Sequence, residues 1–322
     1  MILPELHLDL SLAPQDRWRE LATHADDAGR LLDSYVRDLG GIARFGALLE
    51  PYLKAFVDAE HRAELAAIAR IVNRSIEEVA LANFYYEALQ QNLGCSAFAC
   101  DTPDGPIHAR NLDWWTDDDM LARLTCIVRA DGGASVGPYQ LVTWPGFIGA
   151  FSALAPGRFA ITLNAVTSDE PAAYAQPIVT LIRRALESCR EFDEAVALLE
   201  RTPIAADCLL LVSGIRQGEM VVIERTSTRA ALRGPDHGFV AVTNDYKILD
   251  GAELASGNAL QQTACARFDR TVALLRDNRS LDAAACLRIL RDDAIQMVIT
   301  VQQMVMRART GELVVELPSP AW

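Results

Sequence analysis

Between Gly94 and Trp114 the chain runs GCSAFACDTPDGPIHARNLDW, which gathers the residue types that acyl transfer needs. In that chemistry a thiolate attacks an amide carbonyl, a base takes the thiol proton, and a nearby cation favours the ionised sulfur. Cys95 supplies the sulfur, Arg110 the cation, and Asp113 follows three residues later. An ordinary thiol, with a pKa of about 8.5, is mostly protonated at neutral pH and needs such help. His108 is a single candidate base, with no matching group to orient it. Another base becomes available if Cys95 is the first residue of a mature chain. Its own α-amine, with a pKa of about 7.7–8.0, can take the proton, and Asp113 can hold that amine. Blander fates remain open for each residue. A cysteine opening a strand is usually core. An Arg and an Asp three apart are usually a solvated pair. Asn244, in Val242-Thr243-Asn244-Asp245, has the type of a turn former.

The elements around these residues must bring them together. CSAFAC reads as a strand, Thr102-Pro103-Asp104-Gly105 as a turn, and Ile107–Leu112 as the returning strand. With a loop of Pro103–Gly105, Cys95 lies opposite Asp113 on one face, and Arg110 reaches the site only through a bulge or strong twist. A loop one residue different puts Leu112 opposite Cys95 instead. Upstream, residues 1–92 read as helical. Apolar residues recur at helical spacing over Asp16–Leu39, Ile42–Val57 and Ala63–Val72, and Ser75 with Glu78 forms a capping box opening Ile76–Leu89. Downstream, strands are expected at 122–129, 139–144, 158–164, 207–213, 219–225, 228–233, 238–243, 296–306 and 312–317. Helices are expected at 174–189, 192–201, 259–276 and 281–292. Strands and helices in separate blocks predict an α+β layered domain with a separate helical block packed on it.

Bulk composition narrows the class. With 322 residues, 51% of them hydrophobic, the chain can bury a large core. A net charge of −13 repels phosphate backbones, so no nucleic-acid partner is expected. No apolar run approaches the roughly 18 residues of a membrane span, so no integral membrane segment is expected. The start, MILPELHLDL, lacks the basic region of a secretory signal, which makes the cytoplasm the expected compartment. Seven cysteines show neither CxxC pairs nor zinc spacing, so neither a disulfide scaffold, a metal nor another cofactor is expected.

The segment Cys95–Trp114 resembles the nucleophile hairpin of the acid ceramidase and N-acylethanolamine-hydrolysing acid amidase family: a Cys, a short strand, a D-x-x-G-type turn, then H-x-R-N-x-D. The likeness extends over Leu8-Asp9-Leu10-Ser11 to Arg17-Trp18, Pro145–Gly149 with Pro156–Phe159, Phe192–Asp207 and Val242-Thr243-Asn244, and weakens beyond about residue 246. The wider group is the choloylglycine-hydrolase-like branch of N-terminal-nucleophile hydrolases. The resemblance implies a four-layer αββα sandwich with a helical N-terminal segment. It also implies a precursor that cuts itself at Gly94–Cys95, leaving residues 1–94 as a bound helical α-subunit and 95–322 as the catalytic β-subunit. By the same resemblance Cys95 is the nucleophile and its freed amine the base. Arg110 and Asp113 match the motif residues beside it. Asn244 matches an oxyanion-hole carboxamide, Asn164 a second oxyanion position, and Arg267 a C-terminal catalytic arginine. This chain departs from its relatives in having Ala165 where they carry Glu, and Leu260-Gln261-Gln262 where they carry paired arginines.

Large aromatics cluster in sequence near the nucleophile: Trp114, Trp115, Trp144, Phe147 and Phe151. They could line an apolar acyl pocket, with Trp114, Trp144 and Phe147 as substrate-binding residues, or form ordinary core. The expected substrate is a small N-acyl amide with a fatty or otherwise apolar acyl group. Alternatives are a penicillin V acylase, bile salt hydrolase or peptide acyltransferase activity on the same fold, or a degenerate relative that only binds.

Overall fold

Two β-sheets stack face to face, with helices over both outer faces, in the computed structural model, which describes residues 3–88, 93–114, 119–133, 136–249, 263–277 and 281–318. In chain order the strands are β1 (Glu5–Asp9), β2 (Leu93–Cys100), β3 (Ile107–Trp114), β4 (Cys126–Asp131), β5 (Tyr139–Thr143), β6 (Ser152–Ala155), β7 (Phe159–Ala165), β8 (Cys208–Ser213), β9 (Met220–Arg225), β10 (Ala230–Arg233), β11 (Phe239–Val242), β12 (Thr300–Arg307) and β13 (Glu312–Glu316). The larger sheet runs β1-β4-β5-β6-β7-β8-β9-β10 and the smaller β11-β2-β3-β12-β13. The helices are α1 (Ala25–Asp38), α2 (Gly46–Phe56), α3 (Ala59–Val72), α4 (Ile76–Asn83), α5 (Tyr85–Ala88), α6 (Met120–Arg123), α7 (Ile178–Ser188), α8 (Phe192–Arg201), α9 (Ala264–Asp277) and α10 (Ala283–Leu290).

Period-two alternation sorts the strand side chains into layers. On β2 and β11, Ala97, Ala99, Val240 and Val242 face Leu209, Leu211, Met220 and Val222 of the larger sheet. Their neighbours Phe98, Cys100, Phe239 and Ala241 face the other way, against Leu275, Cys286 and Leu290 of α9 and α10. Phe159, Ile161 and Leu163 of β7 pack outward into a core shared with the N-terminal helices, α7 and α8. The order of layers is therefore αββα, as the resemblance implies.

Several expectations need correcting. The N-terminal segment is not wholly helical. ELHLD forms β1, which pairs in parallel with β4 because Leu6 and Leu8 alternate into the core. Asp16–Leu39 begins with the 3-10 turns Pro14–Asp16 and Arg19–His24 before α1, and Ile76–Leu89 breaks at Phe84 between α4 and α5. The strand expected at 122–129 starts only at Cys126, since α6 precedes it. The short strand β6 escaped notice because SALA is brief and unpatterned. The start of the expected helix 259–276 lies outside the described residues.

The hairpin β2–β3 carries the decisive correction. Thr102 and Gly105 exchange both backbone hydrogen bonds, so the turn is Pro103-Asp104, one residue shorter than a Pro103–Gly105 loop. Gly105 closes it at φ +87, where a Cβ would lie 2.5 Å from the Ile215 carbonyl oxygen. The Thr102 hydroxyl donates to the Gly105 carbonyl at 2.6 Å and ties the turn down. Cys95 then pairs with Leu112, Ala97 with Arg110, and Gly94 with Asp113. Arg110 thus shares the face of Cys95 without any bulge in β3, and Asp113 points to the opposite face, toward the helices.

Carboxylates of the helices attach the N-terminal segment to the rest. Glu64 of α3, fully buried, pairs with Arg183 of α7 at 2.6 Å and Arg17 at 3.0 Å, and accepts the Trp18 indole N–H at 2.8 Å. Glu87 of α5 accepts the Ile178 backbone N–H at 2.8 Å, at the first turn of α7. Burial pushes its carboxyl up to about 7. A value raised in the folded state makes a contribution to stability that is present below about 4.5 and lost as pH rises through about 7. Replacing Glu87 with Gln should remove this slope. In urea unfolding, wild type should lose on the order of 3 kcal/mol relative to Glu87→Gln between about pH 4.5 and pH 7. Parallel pH profiles for the two proteins would contradict the assignment.

Candidate active site

The corrected register places Cys95 on the inner face of β2, 1% exposed, with Arg110 beside it on β3. The Arg110 Nη2 donates to the Cys95 Sγ at 3.1 Å and also to the Leu163 carbonyl. Its Nη1 donates to the Phe151 carbonyl at 2.7 Å and to the Ser152 hydroxyl. These acceptors belong to the facing sheet, so the guanidinium bridges both sheets. Arg110 is fully buried, and among the described residues no carboxylate oxygen lies within ion-pair distance of it. The guanidinium therefore meets the Cys95 sulfur as one of four hydrogen-bond acceptors, the others being two carbonyls and a hydroxyl of the facing sheet.

A second set of contacts surrounds the Cys95 backbone. Its N–H donates to the Asn244 Oδ1 at 2.9 Å. Arg267, reaching in from α9, donates to the Cys95 carbonyl at 2.6 Å, the Ser96 hydroxyl at 2.9 Å and the Asn244 Oδ1 at 2.8 Å. The Asn244 Nδ2 donates to the Ala165 carbonyl at 2.7 Å and retains its other N–H. Asn164, on the inner face of β7, donates to the Thr243 and Val242 carbonyls at 2.9 and 3.3 Å, and its buried Oδ1 has no hydrogen-bond partner among the described residues. Arg267 and Asn244 together hold both sides of the Cys95 peptide, which fixes the sulfur's position.

Asp113 approaches from the other face, beside Gly94. A Cβ on Gly94 would lie 3.1 Å from the Asp113 Cβ, 3.3 Å from its Oδ2 and 3.0 Å from the Met297 Sδ, so the carboxyl packs tightly against the glycine. Burial raises the Asp113 carboxyl above the usual carboxylate range, against the pull of Arg267, Thr300 and Arg110. His108 lies on the inner face between the Ser213 and Thr162 hydroxyls, at 3.0 and 2.9 Å. Burial and Arg110 push it down to about 3, so it stays neutral and is a poor base at neutral pH.

Of the six residues expected to act together, Arg110, Asn244 and Arg267 hydrogen-bond to Cys95 directly, Asn164 reaches the Val242–Thr243 backbone that leads to Asn244, and Asp113 lies on the other face of the hairpin beside Gly94. The aromatics form one group packed in the same core as Cys95, with Phe147 half-buried at its edge. The Trp114 ring centroid is 5.2 Å from that of Phe151 and 5.5 Å from that of Trp144, and Phe147 stacks on Phe151 at 5.4 Å. Tyr35 and Tyr85 from the N-terminal helices extend the group. Trp115 and Gln261 lie outside the described residues. Sequence reasoning missed Ser96, Ser152 and Thr300, whose common residue types carry no signal without the register that aims them. Burial pushes the thiols of Cys100, Cys126, Cys208 and Cys286 up, which suits packing residues. Among the described residues no cluster of His, Cys, Asp and Glu could hold a metal ion.

Comparison with known proteins adds to this geometry. Residues 100–315 match the family described as acyl-coenzyme A:6-aminopenicillanic acid acyl-transferase. The chain is 26% identical over 243 residues to N-acylethanolamine-hydrolyzing acid amidase of Rattus norvegicus, covering 69% of this chain and 64% of that protein. It is 23% identical over 254 residues to acid ceramidase of Balaenoptera acutorostrata scammoni, covering 69% and 63%. The chain thus spans somewhat under two thirds of these relatives' length. Among solved structures, the Caenorhabditis elegans N-acylethanolamine-hydrolyzing acid amidase ortholog superposes with a TM-score of 0.54 at 22% identity, covering 70% of this chain and 95% of that one, a likeness of fold.

The contacts of Arg267 generate a stability prediction. Arg267→Met should leave the Cys95 carbonyl and Ser96 hydroxyl without their buried donor and cost about 2–3 kcal/mol. Urea denaturation checks it, and an unchanged midpoint would show that the arginine contributes nothing to holding the nucleophile.

Proposed function

The chain belongs to the acyl-coenzyme A:6-aminopenicillanic acid acyl-transferase family, and from that membership we propose that it hydrolyses a linear N-acyl amide with Cys95 as nucleophile, after cutting its own Gly94–Cys95 bond. One observation carries this reading: a buried guanidinium donates to the Cys95 sulfur at 3.1 Å, while Asn244 accepts from the Cys95 nitrogen at 2.9 Å. The relatives named as acid amidase and acid ceramidase support a fatty-acyl amide, as does the aromatic group beside the sulfur.

In the self-cleavage step, the Cys95 sulfur adds to the Gly94 carbonyl carbon and the C–N bond breaks. A proton equivalent to that of the thiol ends on the departing nitrogen, which leaves a thioester and a free α-amine. Water then hydrolyses the thioester, giving a Gly94 carboxylate and the Cys95 thiol. Residues 1–94 remain bound as an α-subunit through the shared core and the Glu64 and Glu87 contacts. In turnover, the α-amine takes the thiol proton and the sulfur attacks the substrate carbonyl. The proton passes to the leaving amine, and water releases the acid from the thioester. The oxyanion is met by the spare N–H of Asn244, a donor worth roughly 3–4 kcal/mol in comparable sites. Asn164 stands next to it, and Arg110 stabilises the thiolate. No cofactor takes part in these steps.

A second reading rests on the family's description: the acyl group passes from the thioester to an amine instead of water. Supplying an amine acceptor and measuring the new amide against free acid separates the two.

Intact-mass measurement should show the 35.2 kDa chain resolving into two fragments that part before Cys95. Cys95→Ala should remain whole and inactive, and retained hydrolysis in that variant would remove the assignment. N-lauroyl amides should be cleaved at least about tenfold faster than N-acetyl amides, since burying each added methylene is worth up to about 0.8 kcal/mol. Equal rates would refute the apolar acyl pocket.

A further inference from the structure

We infer that Thr300 is a positioning residue for Asp113: its hydroxyl ties up Oδ1 and leaves Oδ2 as the one carboxyl oxygen presented beside the Gly94–Cys95 bond. The inference rests on the self-cleavage reading above and gives Asp113 a defined part in it.

The register of β12 sets where the Thr300 hydroxyl lies. Gln303 pairs with Asn111 and Gln302 with Leu112, and continued regularly this register would set Val301 opposite Asp113. The ladder instead shifts between Thr300 and Gln302, and Thr300 takes the place opposite Asp113. A bulge inserts one residue and re-aims its neighbours, and here it exchanges an apolar side chain for a hydroxyl at one position. Val301 joins the apolar core.

The direction of the hydrogen bond follows from the hydroxyl's other partner. The Met297 backbone N–H donates to the Thr300 Oγ1 at 3.0 Å, which uses the oxygen as an acceptor. The single hydroxyl proton then goes to the Asp113 Oδ1 at 2.6 Å. Asp113 Oδ2 is buried, has no hydrogen-bond partner among the described residues, and faces Gly94. When the carboxyl is neutral, its own proton therefore sits on Oδ2, because Oδ1 already accepts one. Among the described residues, the charged groups whose field reaches it are Arg267 from α9 and, across the strand from the opposite face, Arg110. Both arginines lower its affinity for a proton, while burial outweighs them and raises it.

The consequence is a proton donor with one orientation. As the Gly94–Cys95 bond breaks, Asp113 Oδ2 gives its proton to the Cys95 nitrogen. The carboxylate regains a proton from water, which has received the one released by the thiol, so the protons balance. After cleavage the same oxygen faces the new α-amine.

Thr300→Val keeps the volume and removes the donor. The rate of fragment formation, followed by intact mass between about pH 4 and pH 8, should fall about ten- to hundredfold, the usual effect of losing a donor to an ionisable group. A donor on Oδ1 favours the carboxylate, so its loss raises the carboxyl's proton affinity. The limb on which the rate falls with rising pH should therefore move to higher pH. Thr300→Ser should restore both rate and limb. A wild-type rate and limb in Thr300→Val would overturn the inference.

The second measurement does not require cleavage. In the Cys95→Ala chain, the infrared carbonyl band of protonated Asp113, identified by its loss in Asp113→Asn, should titrate at higher pH once Thr300→Val is added. No change would overturn the inference. If Thr300→Val does not fold, Thr300→Cys, a weaker donor, should shift the band the same way. A wild-type chain that stays whole while the band shifts would sink self-cleavage but uphold Thr300 as the residue that sets where Asp113 holds its proton.

Discussion

The pairing of β2 with β3 is the constraint on which the rest of the site depends. A two-residue turn, closed by Gly105 at a conformation and clearance that only glycine meets, sets that pairing. Period-two alternation then does the sorting. Cys95 and Arg110 face the larger sheet, while Gly94 and Asp113 face the helices. A slip of one residue would put the guanidinium and the sulfur on opposite faces. The chemistry of this protein is therefore stored in a turn several residues away from the atoms that would react.

The two faces give Cys95 two kinds of environment. Its sulfur meets a cation held by backbone carbonyls of the facing sheet, in a space from which water is excluded. Its peptide nitrogen and carbonyl meet Asn244 and Arg267, and the neighbouring Gly94 meets a carboxyl raised by burial. Low dielectric strengthens each of these interactions and makes each unpaired atom costly. The Asp113 Oδ2 and Asn164 Oδ1, without hydrogen-bond partners among the described residues, are costs of that kind on either side of the hairpin. Unsatisfied buried groups in a native fold call for explanation, and a reaction whose charges and protons they would meet is a sufficient one.

The N-terminal segment is part of the same core. Leu8, Leu65 and Tyr86 pack in one cluster with Leu163, Leu210 and Ile223, and β1 adds an edge strand to the larger sheet. Glu64 and Arg183, both fully buried, link the segment to α7. Under the proposed cleavage, the fragments would be held by a continuous hydrophobic interior and by charges that cannot be exposed singly without large cost.

Much was legible before any fold was known. Residue types between Gly94 and Trp114 pointed to thiol chemistry, and the resemblance carried by the H-x-R-N-x-D run pointed to the αββα layers that the structure contains. Helix caps such as Ser75 with Glu78 are local, and the sequence alone located that one. Elements with weak patterns, β1 and β6, stayed hidden because their stability comes from partners distant in the chain. The face shared by Cys95 and Arg110 was decided by tertiary structure. Local propensity does not distinguish a two-residue from a three-residue turn here, whereas the Ile215 carbonyl pressed against Gly105 does. The same holds for Thr300. Its residue type is unremarked in any sequence, and only a bulge in a strand almost two hundred residues from Asp113, at a separation of 187, makes its hydroxyl a partner of that carboxyl.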